Sequence, residues 1–258
     1  MNTGDQMLIR NYYEEAFNSI KSKYGEQPSS HVIPANISLE EAIGYTRRYV
    51  IESLFKTRHY RYGRYRNALD KVLKERLHFS PTNRRVVNLD LGCGPGLFSW
   101  VVRDYMLEKY GRSDDDIRLI GYDYAKNMIR LANLFKEYLP MEFNLDGYSE
   151  VNEIKSVLKS ADFSGCDVIV TFGHVLVQTK GKHDAVSDFC NIICSLFPAN
   201  CCVLVAVDAI SRPLAFRDAW KNLRTALQEN GVNMESEKLI DLNSMCARLS
   251  MGERDGGR

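Results

Sequence analysis

Val86–Gly96 reads VVNLDLGCGPG: an apolar run ends in an acid, and three glycines follow on alternate positions. The unbroken run predicts a buried parallel strand rather than one with a wet face. Gly92, Gly94 and Gly96 predict a turn whose backbone takes positive φ and can lie against a ligand. Leu97–Tyr110 reads as a helix, so the turn ends on amide donors and the positive end of a helix dipole. Strand, turn and helix together predict a nucleotide-type pocket.

Two phosphate-binding readings fit this stretch poorly. A dinucleotide fingerprint sets its third glycine or alanine five residues after the first, where this chain has Leu97. A P-loop closes on Gly-Lys-Ser/Thr, whereas Gly96 is followed by Leu97 and Phe98. Asp90, two residues ahead of Gly92, falls at the carboxyl end of the strand and suits an ammonium or sulfonium better than a pyrophosphate.

In Asp90, Gly92, Gly94 and Gly96 (acid-x-Gly-x-Gly-x-Gly) the chain resembles the class I S-adenosylmethionine-dependent methyltransferases, best over residues 85–211. The resemblance implies an α/β fold: a doubly wound, mostly parallel, seven-stranded Rossmann-like sheet, here with an N-terminal helical extension. It implies S-adenosylmethionine as cofactor and S-adenosylhomocysteine as product. A second motif, LIGYDYAKNMIRLA at 119–132, strengthens it. Leu119–Tyr122 reads as the second strand, and Asp123 closes it with two acceptor oxygens for the ribose hydroxyls. A helix N-cap is the alternative for Asp123. Tyr124 and Met128 are expected to flank the adenine. The resemblance also puts Cys93, inside the turn, and Thr171, on the fourth strand, in the cofactor set. Asp146, closing a third strand over Met141–Leu145, is a candidate for the adenine amine or a plain turn residue in Asp-Gly.

The acceptor is harder to read. The fourth strand, Asp167–Phe172, runs into Gly173-His174-Val175, where the family places acceptor-facing groups. TFGH does not match the Asn/Asp-Pro-Pro-aromatic motif of amino-methylating nucleic-acid enzymes. No Cys follows Pro, as pyrimidine C5 methylation requires, and no convincing Lys-Asp-Lys-Glu set is present. His174 is the candidate general base. The alternative is a wall or a cap for the next helix, because alignment of donor and acceptor can supply much of the rate. Further helices are predicted over Ala185–Leu196 and Leu214–Gln228, with a fifth strand at Cys201–Val207. Arg212 could bind an anionic acceptor or lie solvated. Lys238–Leu242 and Ala247–Met251 make a thin terminal hairpin, and 252–258 reads as a disordered tail.

With 258 residues, 45% hydrophobic and 26% charged, the chain can bury a full core. No apolar run is long enough for a bilayer and MNTGDQMLIR lacks a signal-peptide core, so a cytoplasmic protein with no membrane partner is expected. Seven cysteines without Cys-x-x-Cys spacing read as core thiols, with no metal site expected. The division expected is a helical extension over 1–83, a cofactor domain over 84–251 and the tail. Met1–Tyr24 reads as helical, Gly25–Pro34 as a linker, and Ser38-Leu39-Glu40-Glu41 as a capping-type helix start.

Although the net charge is only +1, residues 47–85 hold twelve Lys or Arg against three acids. Its densest part, Arg58–Arg66 (RHYRYGRYR), suits phosphate pairing and base stacking, with Arg61, Tyr62 and Arg64 as candidate substrate contacts. The alternative is a helical lid whose tyrosines pack on the domain while its arginines pair with acids such as Asp114–Asp116. The function expected is methyl transfer to an oxygen or nitrogen of a small molecule or of RNA or an RNA–protein assembly. A non-catalytic S-adenosylmethionine-binding or partner-binding protein on the same fold is the alternative. Oligomeric state is not legible.

Overall fold

The computed structural model describes residues 8–29, 33–51, 61–74, 85–140, 145–163, 165–179, 183–196, 201–208, 213–241 and 244–251. Val86–Leu91 forms β1, buried at all six positions, as a strand covered on both faces must be. It runs parallel to β2 (Ile117–Tyr122) on one side and β4 (Asp167–Gly173) on the other. β3 (Leu145–Tyr148) pairs beyond β2, and β5 (Cys201–Val207) beyond β4. A hairpin of β6 (Val232–Asp241) and β7 (Ser244–Met251) completes the sheet, with β7 antiparallel to β5. The order is β3-β2-β1-β4-β5-β7-β6. The chain reverses its direction of winding between β1 and β4, which opens a crevice beyond their carboxyl ends.

Alternation along the strands feeds two cores. Val87, Leu89 and Leu91 pack with α6 (Val151–Ser160), α7 (His183–Ile193) and α8 (Pro213–Glu229). Val86, Leu119 and Ile169 face α4 (Leu97–Tyr110) and α5 (Lys126–Tyr138). On that second face α4 and α5 are covered in turn by α1 (Tyr13–Tyr24), α2 (Leu39–Thr46) and α3 (Arg61–Leu69). Tyr13 of α1 stacks on Phe135 at 4.7 Å and meets Trp100 at 4.4 Å. The capping box at α2 forms as predicted, Glu41 N–H donating to Ser38 Oγ and Ser38 N–H to the Glu41 carboxylate.

The docking of the extension centres on one buried carboxylate. Asp104 of α4 accepts from the backbone N–H of Ile9 (2.9 Å) and Arg10 (3.2 Å), from the Tyr62 hydroxyl (3.0 Å) and from Arg103 (3.3 Å). A buried acid with four donors ties two separate parts of the extension to one helix.

Three expectations change. β3 runs over Leu145–Tyr148, past the end expected at Leu145; the first four residues of the expected Met141–Leu145 lie outside the described set. Asp146-Gly147 is therefore strand, not turn: a Cβ on Gly147 would lie 2.9 Å from Ile129 Cγ2, so glycine is needed there for α5 to pack on the sheet. The terminal hairpin is longer than predicted, with β7 paired along most of β5. Within Met1–Tyr24, the described part opens with a short 3-10 turn, Ile9–Asn11, before α1.

Candidate functional site

The glycine turn is held to the neighbouring strand: Gly92 and Cys93 N–H both donate to the Tyr122 carbonyl, at 2.8 and 3.0 Å. Gly92 (φ 71°) packs so tightly under the loop after β4 that a Cβ would lie 2.4 Å from Val175 Cγ2. Gly94 (φ 52°) differs, because a Cβ on it would meet no atom within 4 Å. One glycine admits the loop, and the other leaves room for a ligand against the main chain. Gly96 then caps α4 in the left-handed conformation.

Asp90 lies beneath this turn. Thr171 Oγ1 donates to one carboxylate oxygen at 2.9 Å, and the Ser99 hydroxyl and N–H approach the other at 3.2 and 3.3 Å. Burial pushes its pKa up to about 7 against the pull of these donors. At the end of β2, Asp123 accepts from Ala125 N–H and Gly94 N–H, each at 2.9 Å. It thus buttresses the entry to α5 and also joins the two motifs. Burial raises its pKa to about 6. Each of its oxygens keeps a further lone pair for a ligand donor.

Both acids line one cavity, open to solvent at its mouth. Its floor and walls include Gly92, Cys93, Gly94, Tyr124, Gly173, His174, Val175 and Gln178. Burial, with the nearby carboxylates of Asp123 and Asp90, keeps the Cys93 thiol protonated. Tyr124 is half-exposed and donates to the Ile33 carbonyl. His174 carries a positive φ of 60°, uncommon for a residue with a Cβ. Its N–H donates to the Val207 carbonyl (2.8 Å) and its own carbonyl accepts from Gln178 Nε2 (3.0 Å). The roof comes from the extension: Ile33, Tyr45, Val50 and Tyr65.

Several predicted site residues lie elsewhere. Met128 is fully buried on the core-facing side of α5 and does not line the cavity. Thr171 stands behind Asp90 and also accepts from Asn88 Nδ2 at 3.0 Å, so it holds the acid rather than facing the cavity. Asp146 is two residues short of the end of β3 and pairs with Arg118 at 3.5 Å, away from the cavity. Tyr62 is buried on Asp104, and Arg64 Nη1 donates to the Asp208 carbonyl at 2.7 Å. Among the described arginines of Arg58–Arg66, none pairs with Asp114–Asp116: Arg66 pairs with Glu108, while Asp114 is held by Arg103 at 2.6 Å. The Arg61 side chain and Arg212 lie outside the described residues.

Sequence reading missed Ser99, which grips Asp90 from the first turn of α4, and the roof residues Ile33, Tyr45 and Val50. Only Tyr65 had a signal, as one of the tyrosines in the basic stretch.

The parallel order β3-β2-β1-β4-β5, the antiparallel β7 and the acid beneath a glycine turn at the crevice together settle the architecture. The chain has the class I methyltransferase fold. No protein-family model and no curated protein matches the sequence. Solved structures that the chain matches include two methyltransferases and one methylase. A SAM-dependent methyltransferase from Aquifex aeolicus is 13% identical, over 83% of this chain and 98% of that one, with a TM-score of 0.49. The 16S rRNA methylase ArmA is 12% identical, over 93% and 97%, at 0.47. Magnesium protoporphyrin IX methyltransferase from Synechocystis PCC 6803, with bound SAH, is 12% identical, over 93% and 96%, at 0.41. Among the described residues, no helix is long and apolar enough to cross a membrane, and no group of three or more His, Cys, Asp or Glu could hold a metal.

Proposed function

We propose that this chain binds S-adenosylmethionine and transfers its methyl group to an oxygen or nitrogen of a small-molecule acceptor. The observation that carries the reading is the meeting of Asp90, the open main chain at Gly94 and Asp123 in one cavity at the switch point of the sheet. The donor set fits the cofactor. Asp123 offers free lone pairs to ribose hydroxyls, Asp90 offers a carboxylate to an ammonium, and Gly94 gives an approach to the backbone. Leu97 lines the cavity where a dinucleotide fold wants its third glycine, which weighs against NAD.

Bound S-adenosylmethionine supplies a methyl group already activated on a sulfonium. The chain's own residues then orient and enclose. Asp90 and Asp123 hold the two ends of the donor, and Tyr65, Tyr45, Val50 and Ile33 keep water from the space above it. His174, fixed at the end of β4 by the Val207 carbonyl and the Gln178 side-chain amide, is the group placed to take a proton from the acceptor. Its backbone conformation costs about 1–3 kcal/mol, an expense tolerated where a side chain must be aimed.

A small acceptor is favoured over RNA by the basic stretch itself. Tyr62, Arg64 and Arg66 are spent on Asp104, Asp208 and Glu108, so they serve as ties rather than as a phosphate track. The division into an extension over 1–83 and a cofactor domain over 84–251 follows as lid and base. The test is transfer of labelled methyl groups from S-adenosylmethionine to metabolite, protein and RNA fractions. Label in the metabolite fraction is expected. Label in RNA would overturn the acceptor, and cofactor binding without transfer would make the chain a silent binding protein.

A further inference from the structure

β1 carries two polar side chains, Asn88 and Asp90, two residues apart and so on one face of the sheet. Asp90 lines the cavity, whereas Asn88 lies one step deeper, completely buried, and does not. Asn88 Nδ2 is 3.0 Å from the Ile169 carbonyl and 3.0 Å from Thr171 Oγ1. A carbonyl only accepts, so the amide atom facing Ile169 must be the nitrogen and the orientation of the amide is fixed. Thr171 therefore receives an N–H and sends its own hydrogen the other way, to Asp90 Oδ1 at 2.9 Å. The arrangement leaves Asn88 Oδ1 buried and, among the described residues, without a donor. A buried acceptor in that state is destabilising, and an aliphatic side chain like those of Val86, Val87 and Leu89 would avoid it.

Resting on the reading of Asp90 as the partner of the donor's ammonium group, we propose that Asn88 is a positioning residue. It aims the Thr171 hydroxyl so that Asp90 meets the cofactor as a carboxylate. Without the amide, that hydroxyl is free to rotate and Asp90 loses an oriented donor, keeping only those of Ser99. One donor matters here because the balance at Asp90 is close. Burial pushes its pKa up to about 7, and Asp123 pushes the same way, while Thr171 and Ser99 pull it down. The titratable groups sharing its cavity are Asp123, Cys93, Tyr124 and His174, with Tyr45 and Tyr65 from the extension. All of these are kept when position 88 is changed, so the ratio of variant to wild type isolates the relay.

The test is calorimetric titration of the full chain with S-adenosylhomocysteine at pH 6.5 and pH 8.5, for wild type and Asn88→Val. Pairing with the ammonium needs an ionised Asp90, so a fault in the relay shows where the acid is largely protonated and fades where it is ionised. Asn88→Val should weaken binding about three- to tenfold at pH 6.5 and less than about twofold at pH 8.5. 5′-Methylthioadenosine keeps the nucleoside and the thioether but lacks the ammonium, and it should bind both proteins alike at either pH. Thr171→Val should reproduce the pattern, and adding Asn88→Val to it should change nothing further. Should Asn88→Val fold poorly, Asn88→Ala removes the same amide without filling the site and should give the same pH dependence. An equal loss at both pH values, an equal loss for 5′-methylthioadenosine, or additive losses with Thr171→Val would make Asn88 a structural residue only and overturn the inference. An unmoved S-adenosylhomocysteine affinity at pH 6.5 would do the same. Failure of Asp90→Asn to weaken S-adenosylhomocysteine, or of wild type to bind it, would instead remove the reading of Asp90 on which the inference rests.

Discussion

Asp123→Asn probes the ribose end of the candidate site with a side chain of the same size. The carboxylate accepts from Ala125 N–H and Gly94 N–H, one bond per oxygen, each 2.9 Å. An amide of the same size keeps one acceptor and sets an NH2 against the other backbone donor. It also removes one acceptor from the ligand, a charge-assisted bond worth about 1.5–3 kcal/mol. That corresponds to roughly a 10- to 150-fold rise in Kd for S-adenosylhomocysteine at pH 7.5, measured by calorimetry. The difference must shrink in acid. Asp123 titrates near pH 6 in the ligand-free protein, so at pH 5 the wild type must shed a proton to bind as strongly, while the amide has none to shed. A loss under threefold at pH 7.5, or a ratio that does not fall at pH 5, would refute the assignment of Asp123 to the ribose.

Three further outcomes follow from the geometry. Gly92→Ala puts a Cβ 2.4 Å from Val175 Cγ2 at a positive φ, so it should cost about 1–3 kcal/mol in urea denaturation, with part restored by Val175→Ala in the double variant; additive losses would count against it. Asp90 has a folded pKa raised to about 7 above its unfolded value, so its contribution to stability is present in acid and lost as pH rises through 7. The Tm of Asp90→Asn relative to wild type should therefore climb between pH 5 and pH 8 without ligand, and parallel curves would contradict this. Tyr62→Phe deletes one donor to the buried Asp104 and should lower the urea midpoint by about 1–3 kcal/mol equivalent while speeding proteolysis of the extension; an unchanged midpoint would show that this tie is dispensable.

Where local chemistry decides structure, the sequence was legible. Gly96 and Gly111 bracket α4, so Leu97–Tyr110 reads off to the residue. The apolar runs of β1 and β5, and the Ser38–Glu41 capping box, are equally local signals. Legibility fails where one motif serves two purposes. Asp146-Gly147 looks like a turn, yet Gly147 is a packing glycine under Ile129 and its neighbour faces Arg118. Met128 sits on a stripe that serves the core and the cofactor reading equally well, and burial decides for the core. Thr171 is one strand away from Asp90 and acts through it. Apart from Tyr65, the roof could not be read, because Ile33, Tyr45 and Val50 reach the cavity only after the extension docks on α4 and α5. The basic stretch misleads for the same reason: its charge is visible in sequence, but its partners, Glu108 and the Asp208 carbonyl, are not.

The central claim is that the glycine turn between Asp90 and Asp123 is a methyl-donor site and not a dinucleotide site. Calorimetric titration of the full chain with S-adenosylhomocysteine and, separately, with NAD tests it most directly. The account predicts saturable binding of S-adenosylhomocysteine at one site per chain and no heat with NAD. Saturable NAD binding with no response to S-adenosylhomocysteine would contradict it.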